Sequence, residues 1–266
     1  MRSAYVLGSK GMLGSMVLSY LSNKKGWLVN QYYRDCGMSL PSFLEKIDCS
    51  DNNFVFNCIG GIPQKVLSTE QLYEANFAVV AIIASQLSKN VRLIHPSSDC
   101  VFAGTKRDAY HKYDIDYSLE PYGLSKRAAE ALLLQRPNTL IIRASIIGKG
   151  RHDKGLLSWI LSNRCLQVLG YENHFWNGLT TLEWVKQAIY LIEENDRLGH
   201  QGLVQLGTEK SISKAELVKK VSDIFELNID VVPVEKEFRS LVLESDYLVK
   251  PLDDQLKDFK NFLITK

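Results

Sequence analysis

Tyr122-Gly123-Leu124-Ser125-Lys126 sets a phenol and an ammonium four residues apart, on one face of any helix that contains them. A phenol with a pKa near 10 is a weak acid at neutral pH, and a nearby ammonium lowers that value by stabilising phenolate. Such a tyrosine can protonate a carbonyl oxygen while hydride reaches the carbon. Upstream, Ser97-Ser98-Asp99 follows a short apolar run at residues 91–95 and Pro96. The Ser98 hydroxyl would hold the same oxygen, and Asp99 reads either as an acid–base group or as a carboxylate that orients the loop. Tyr20 and Lys24 repeat the spacing, a coincidence to be expected with twelve tyrosines. Position therefore decides: Tyr122 opens a helix after a loop, whereas Tyr20 sits late in the stretch behind the first glycines.

Those glycines are Gly8-Ser9-Lys10-Gly11-Met12-Leu13-Gly14, a G-x-x-G-x-x-G directly after an apolar run at residues 4–7. Between a strand and a helix, Gly8, Gly11 and Gly14 permit a sharp turn, close approach of a phosphate and tight helix packing. Met12 and Leu13 then open the helix, whose free N–H groups and positive dipole end suit a pyrophosphate. A tight turn without a ligand is the plainer alternative. The second strand, Trp27–Tyr32, runs into Tyr33-Arg34-Asp35. Asp35 lies where an acid would hold a ribose 2′-hydroxyl, while Arg34 and Lys10 could meet a 2′-phosphate. The two cations favour NADP(H) over NAD(H).

The elements needed to position these groups follow from periodicity. Apolar runs at 4–7, 27–32, 53–58, 91–95 and 140–143 alternate with helix-like stretches at 16–22, 72–87 and 124–135. That alternation predicts an α/β class protein with a doubly wound parallel sheet of Rossmann type. Residues 1–150 form the expected dinucleotide-binding domain. Residues 151–266 read as a smaller α/β substrate-binding lobe, with room for some chain to return to the first domain. Ser213 and Glu216 carry a capping-box spacing at the head of a helix.

Composition narrows the function classes. The 266 residues are 45 % hydrophobic and 23 % charged, enough for a sizeable core. Thirty-two Lys+Arg against 30 Asp+Glu leave a net charge of +2, with no electrostatic case for nucleic acid. The longest apolar run, residues 77–84, is far short of the roughly 20 residues of a membrane span, and the N-terminus does not read as a signal peptide. Five scattered cysteines without a CxxC fit a reducing, cytoplasmic setting. His95, His111, His152 and His174 show no ligand spacing, so no metal is expected.

With these motifs in place, the chain resembles the extended short-chain dehydrogenases/reductases, and within them the sugar-nucleotide 4-keto reductases of the dTDP-4-dehydrorhamnose reductase type. Asn57-Cys58-Ile59-Gly60 stands where that family has a turn against the cofactor, and Asn76 matches the Asn of its fourth helix. Ser97-Ser98-Asp99-Cys100-Val101-Phe102 is similar to its S-T-D-Y-V-F, with Cys100 in place of the tyrosine. Arg143 and Gly148 fall in its R-x-x-x-x-G stretch. The likeness is looser at Asn177-Gly178-Leu179-Thr180-Thr181 and at Arg239-Ser240-Leu241.

The resemblance implies Ser98, Tyr122, Lys126 and Asp99 as catalytic groups. It implies Cys58, Ile59, Gly60, Asn76, Ser97, Tyr122 and Lys126 at the cofactor, besides the glycine loop and Arg34. Ser98, Arg143, Arg151, His152, Asn177 and Arg239 are the candidates for a nucleotide-sugar substrate. The implied activity is NAD(P)H-dependent reduction of a nucleotide-linked 4-keto-6-deoxysugar, giving an activated deoxysugar for surface polysaccharide. No nucleic acid or membrane partner is implied, and a homodimer is compatible. A 4,6-dehydratase would want an acidic pair where Asp99 is followed by Cys100. A 4-epimerase using the same Tyr and Lys, and a non-catalytic NADP-binding regulatory subunit, stay open as alternatives.

Overall fold

The computed structural model describes residues 1–64, 68–150, 155–198 and 202–265. Strands β1 (Arg2–Leu7), β2 (Trp27–Tyr32), β3 (Asn53–Asn57), β4 (Arg92–Ser97) and β5 (Thr139–Arg143) join a later strand, β10 (Gly202–Gln205), in one six-stranded sheet. Its order is β10-β5-β4-β3-β1-β2, and every pairing is parallel. Successive side chains of a strand leave opposite faces. Accordingly Leu7, Val55, Leu93 and Ile141 enter one core, and Val6, Phe56, Ile94, Leu140 and Ile142 enter the other. The first core is closed by α2 (Leu40–Leu44), α4 (Val79–Gln86) and α5 (Pro121–Leu133), the second by α1 (Met12–Ser22) and α7 (Thr181–Leu198). Both faces are covered, which is why the strands read as nearly continuous apolar runs.

The strand order reverses between β1 and β3, so a crevice opens beyond their carboxyl ends. Gly8, Cys58 and Ser98 follow the ends of β1, β3 and β4 and border it.

The second half does not stand apart as one unit. α7 packs on α1 in the same core as β1 and β5, and β10 extends the sheet beside β5. The remaining segments build small sheets. These are β6 (Ile146–Ile147) with β9 (Leu179–Thr180), β7 (Gln167–Tyr171) with β12 (Asp230–Val234), and β11 (Ile212–Ser213) and β13 (Arg239–Leu241) flanking β8 (His174–Trp176). Helices α6 (Leu156–Ser162), α8 (Lys214–Phe225) and α9 (Leu252–Ile264) cover them. Ser213 closes the capping box at α8: its Oγ accepts from the Glu216 N–H at 3.1 Å, and Glu216 Oε2 accepts from the Ser213 N–H at 2.7 Å.

Two local details differ from the sequence reading. The helix expected over residues 72–87 is α3 (Thr69–Tyr73) and α4 joined through a π-helical turn, Glu74–Ala78. Its wider turn carries Asn76, which is buried. Helix α5 begins at Pro121, ahead of the periodic stretch at 124–135 and in keeping with Tyr122 opening a helix, because proline suits the first helical position. Tyr122 therefore lies in the first turn. Among the described residues no helix is long and apolar enough to cross a membrane.

Candidate active site

The glycine loop is shaped by what cannot stand there. Gly8 has φ +75°, and a Cβ on it would lie 2.8 Å from the Cys58 carbonyl oxygen. A Cβ on Gly14 would fall 2.2 Å from the Gly8 carbonyl oxygen. Helix α1 begins behind Gly11 with no side chain capping its first-turn N–H groups. Met12 and Leu13 therefore offer backbone donors at a positive helix end, while the Leu13 side chain is buried in the core. Across the loop the Lys10 ammonium lies 3.5 Å from the Tyr33 ring centroid, and Arg34 and Asp35 are exposed beyond β2.

The opposite wall comes from β3 and the π-turn. Asn57 Oδ1 accepts from the Ile59 N–H at 3.2 Å, which turns the chain through Cys58 and Ile59. Asn76 Oδ1 accepts from the Gly61 N–H at 2.9 Å, and its Nδ2 donates to Gly61 O at 3.0 Å and to Ser125 Oγ at 3.1 Å. Ser125 Oγ in turn donates to Tyr122 O at 2.8 Å. Asn76 thus ties the loop of Gly60 to the helix of Tyr122. The Ser97 hydroxyl, at the end of β4, is buried without a partner. An orphaned hydroxyl, an uncapped helix start and a glycine cradle with no space for a Cβ together fit a dinucleotide.

Ser98 caps the short 3₁₀ turn Asp99–Val101. Its Oγ donates to Asp99 Oδ1 at 2.8 Å and accepts from the Cys100 N–H at 3.1 Å, and Asp99 Oδ1 also accepts that N–H at 2.9 Å. Asp99 is buried, and its Oδ1 is engaged within its own turn. Burial pushes the Cys100 thiol up to about 12, with Asp99 adding to the shift. Cys100 is therefore a neutral thiol on the floor of the crevice.

Tyr122 differs from expectation. Burial raises its phenol, Cys100 and Asp99 add to the rise, and a hydrogen bond with Ser98 opposes it. Lys126 does not act on it directly. Its ammonium donates to Pro96 O at 2.6 Å and lies 3.4 Å from His95 Nε2, beneath the helix. Burial lowers Lys126 to about 8, against the opposing influence of Glu130 and Cys58. The Cys58 thiol is itself raised by burial to about 12.

The substrate candidates separate. Arg143 is buried: Nε and Nη2 donate to the two Glu130 carboxylate oxygens at 3.0 and 2.7 Å, and Nη1 donates to Lys112 O and Gln205 Oε1. This guanidinium holds α5, β5 and β10 together and is not presented to the crevice. Asn177 is likewise consumed, donating to Thr208 O and Leu243 O and accepting from the Leu243 N–H. Arg239 is exposed beside Gly104, downstream of the Ser98 turn. Arg151 and His152 lie outside the described residues. Three groups escaped sequence reasoning: His95, Ser125 and Lys214. Ser125 was visible inside the Tyr–Lys motif, but its partner Asn76 is 49 residues away.

Known proteins corroborate the frame. The family described as RmlD substrate binding domain matches residues 1–167. A probable low-salt glycan biosynthesis reductase of Haloferax volcanii is 28 % identical over 180 residues, 60 % of this chain and 59 % of the relative. The dTDP-4-dehydrorhamnose reductase of Aggregatibacter actinomycetemcomitans is 33 % identical over 103 residues, 37 % of this chain and 35 % of that protein. This chain thus matches less than two thirds of the length of either relative. The crystal structure of dTDP-4-dehydrorhamnose reductase from Bacillus anthracis in complex with NADP superposes over 100 % of both chains with a TM-score of 0.84 at 16 % identity. At that identity the likeness speaks for the fold alone. With the family pattern spanning both the glycine cradle and the Tyr122 helix, the chain belongs to the RmlD substrate binding domain family.

Proposed function

We propose that this protein is an NADPH-dependent reductase of a nucleotide-linked 4-keto sugar, with a 4-keto-6-deoxysugar as the substrate class. The observation that carries the reading is the assembly of Ser98 and Tyr122 at the carboxyl end of β4, with Lys126 beneath them and the glycine cradle alongside. The named reductases among the relatives support the same class.

The cofactor, when bound, supplies the hydride. Gly8, Gly11 and Gly14 would admit its pyrophosphate to the backbone of Met12 and Leu13. Ser97 and Lys126 would meet its nicotinamide end, and Arg34 and Lys10 a 2′-phosphate. These two exposed cations on one rim support NADPH over NADH.

The chain's own groups manage the oxygen. Ser98 donates to the substrate carbonyl once its hydroxyl turns from Asp99, and Tyr122 delivers the proton to that oxygen. Burial keeps Tyr122 protonated at neutral pH, so the acid form is the resting form. Asn76 and Ser125 fix the backbone at Tyr122, holding the phenol in place. The product would be an activated sugar for polysaccharide assembly.

The test is NADPH oxidation measured across freshly generated nucleotide-linked 4-keto-6-deoxysugars, with product stereochemistry read by NMR. Wild-type protein should turn over at least one of them, and Tyr122→Phe should be slower by about 10²–10⁴-fold. Full turnover by Tyr122→Phe, or interconversion of sugars without net NADPH loss, would overturn the reading.

A further inference from the structure

His95 is fully buried, and no step of the reduction uses it. Phe56 on β3 pairs with Ile94 on β4, so Asn57 and His95, one residue further along each strand, lie side by side. They share the sheet face of Val55 and Leu93, on which α5 packs through Ala129 and Leu133. Helix α5 brings Lys126 down onto them. Lys126 Nζ donates to Pro96 O at 2.6 Å and lies 3.4 Å from His95 Nε2, and His95 Nδ1 lies 3.1 Å from Asn57 Nδ2. All three side chains are buried, so their hydrogen bonds are not exchanged with solvent.

A backbone group sets the direction of this chain. The Ile59 N–H donates to Asn57 Oδ1 at 3.2 Å, and a backbone N–H cannot reverse its role. Asn57 therefore turns its Nδ2 donors to His95, whose Nδ1 accepts. A neutral imidazole carries one proton, which then resides on Nε2, opposite Lys126. Burial and the Lys126 charge both keep the ring neutral.

The tautomer matters to the lysine. An acceptor at Nε2 would draw one Lys126 N–H back toward the strand, whereas a donor there draws none. Pro96 O takes one N–H, and the others are left to the side away from the ring. Glu130 and Cys58 are the other groups whose charge reaches Lys126. Glu130 does not compete for those N–H groups, because Arg143 donates to both of its carboxylate oxygens.

We propose that Asn57 and His95 are positioning residues for Lys126: the ring presents a donor to the amine and so directs its remaining N–H groups to the cofactor end of the crevice. The orientation originates at Ile59, in the turn that walls that crevice. The turn and the lysine are thereby aligned by one buried chain. His95 acts through Lys126, since full burial keeps it from cofactor and substrate alike. The inference rests on the reductase reading of the site.

Asn57→Asp reverses the chain with little change of shape. Its carboxylate accepts both the Ile59 N–H and an Nδ1 proton of the ring, which leaves Nε2 as an acceptor for Lys126. On the full chain, NMR of the ring nitrogens reads the His95 tautomer, NADPH fluorescence reads affinity, and kcat and KM are measured with the keto sugar that wild type turns over. The proton should sit on Nε2 in wild type and on Nδ1 in Asn57→Asp. NADPH affinity and kcat should each fall about 10-fold in Asn57→Asp and in His95→Leu, with KM for the sugar holding. His95→Gln, whose amide can accept from Asn57 and donate to Lys126, should retain most of both. A wild-type proton on Nδ1, or wild-type NADPH affinity in both Asn57→Asp and His95→Leu, would overturn the proposal. Should Asn57→Asp fail to fold, His95→Gln against His95→Leu decides: equal losses would assign His95 to packing alone. Failure of every keto sugar to consume NADPH would instead strike the reductase reading, since tautomer and affinity are read without turnover.

Discussion

Lys126 Nζ lies 3.4 Å from His95 Nε2, and the other nitrogen of that ring lies 3.1 Å from Asn57 Nδ2. The Ile59 N–H occupies Asn57 Oδ1, so Asn57 presents an N–H to His95 Nδ1. The ring proton then belongs on Nε2, facing Lys126. Two donors cannot satisfy one another, so this contact favours the neutral amine, as burial does. Burial lowers Lys126 to about 8.

The sign of the resulting pH dependence is fixed. Between about 8 and 10.5 the unfolded chain holds the Lys126 proton and the native one does not, so stability should rise with pH across that window. Urea unfolding from pH 7.5 to 10.5 should show the rise in wild type. Lys126→Met should remove it; an identical slope in both proteins would assign the effect to another group.

His95 gives the acid counterpart. Burial and Lys126 hold it well below its ordinary value of 6.5. Below that pH the unfolded chain takes up a proton that the native one refuses, and stability falls by up to about 1.4 kcal/mol per pH unit. Denaturation midpoints between pH 5 and 7 should flatten in His95→Gln. A wild-type acid limb that survives the substitution unchanged would point elsewhere.

Asn76 should be costly to lose. Replacing it with Ala strands the Gly61 N–H and O and removes the acceptor facing its loop, each buried group left unpaired costing about 1–3 kcal/mol. Thermal and urea unfolding would measure the drop, and kcat should fall with it because Tyr122 loses its brace. Wild-type stability in Asn76→Ala would mean that the π-turn is held by packing alone.

Arg143 is expected to behave as structure. Arg143→Met leaves Glu130 buried and unpaired and should destabilise by about 3–5 kcal/mol, whereas Arg143→Met combined with Glu130→Met should recover much of the loss. Nucleotide-sugar affinity, measured below the melting range, should change little. A selective loss of that affinity would return Arg143 to the substrate.

Arg34 and Lys10 should govern cofactor choice. Arg34→Ala is expected to reduce the preference for NADPH over NADH by about 10-fold, the worth of one charge-assisted contact, and Lys10→Ala by less because Tyr33 already engages its ammonium. The ratio of kcat/KM values for the two cofactors reads this directly. An unchanged ratio would leave Arg34 a solvated surface charge.

Much of the frame was already determined by the sequence. Strand alternation, the Gly8-Gly11-Gly14 spacing, the capping box at Ser213 and the Tyr122–Lys126 step are set by forces that act within a few residues, so they can be read locally. Tertiary structure decided which polar groups face the crevice. Arg143 and Asn177 looked equally available, yet Arg143 meets Glu130 and Gln205, and Asn177 clamps Leu243, 66 residues away. Lys126 finds His95 across 31 residues, Asn76 finds Ser125 across 49, and Lys214 meets the Trp176 ring through the pairing of β11 with β8. A buried polar side chain must take whatever partner the packed fold presents. That choice belongs to the assembled molecule, and no local pattern announces it.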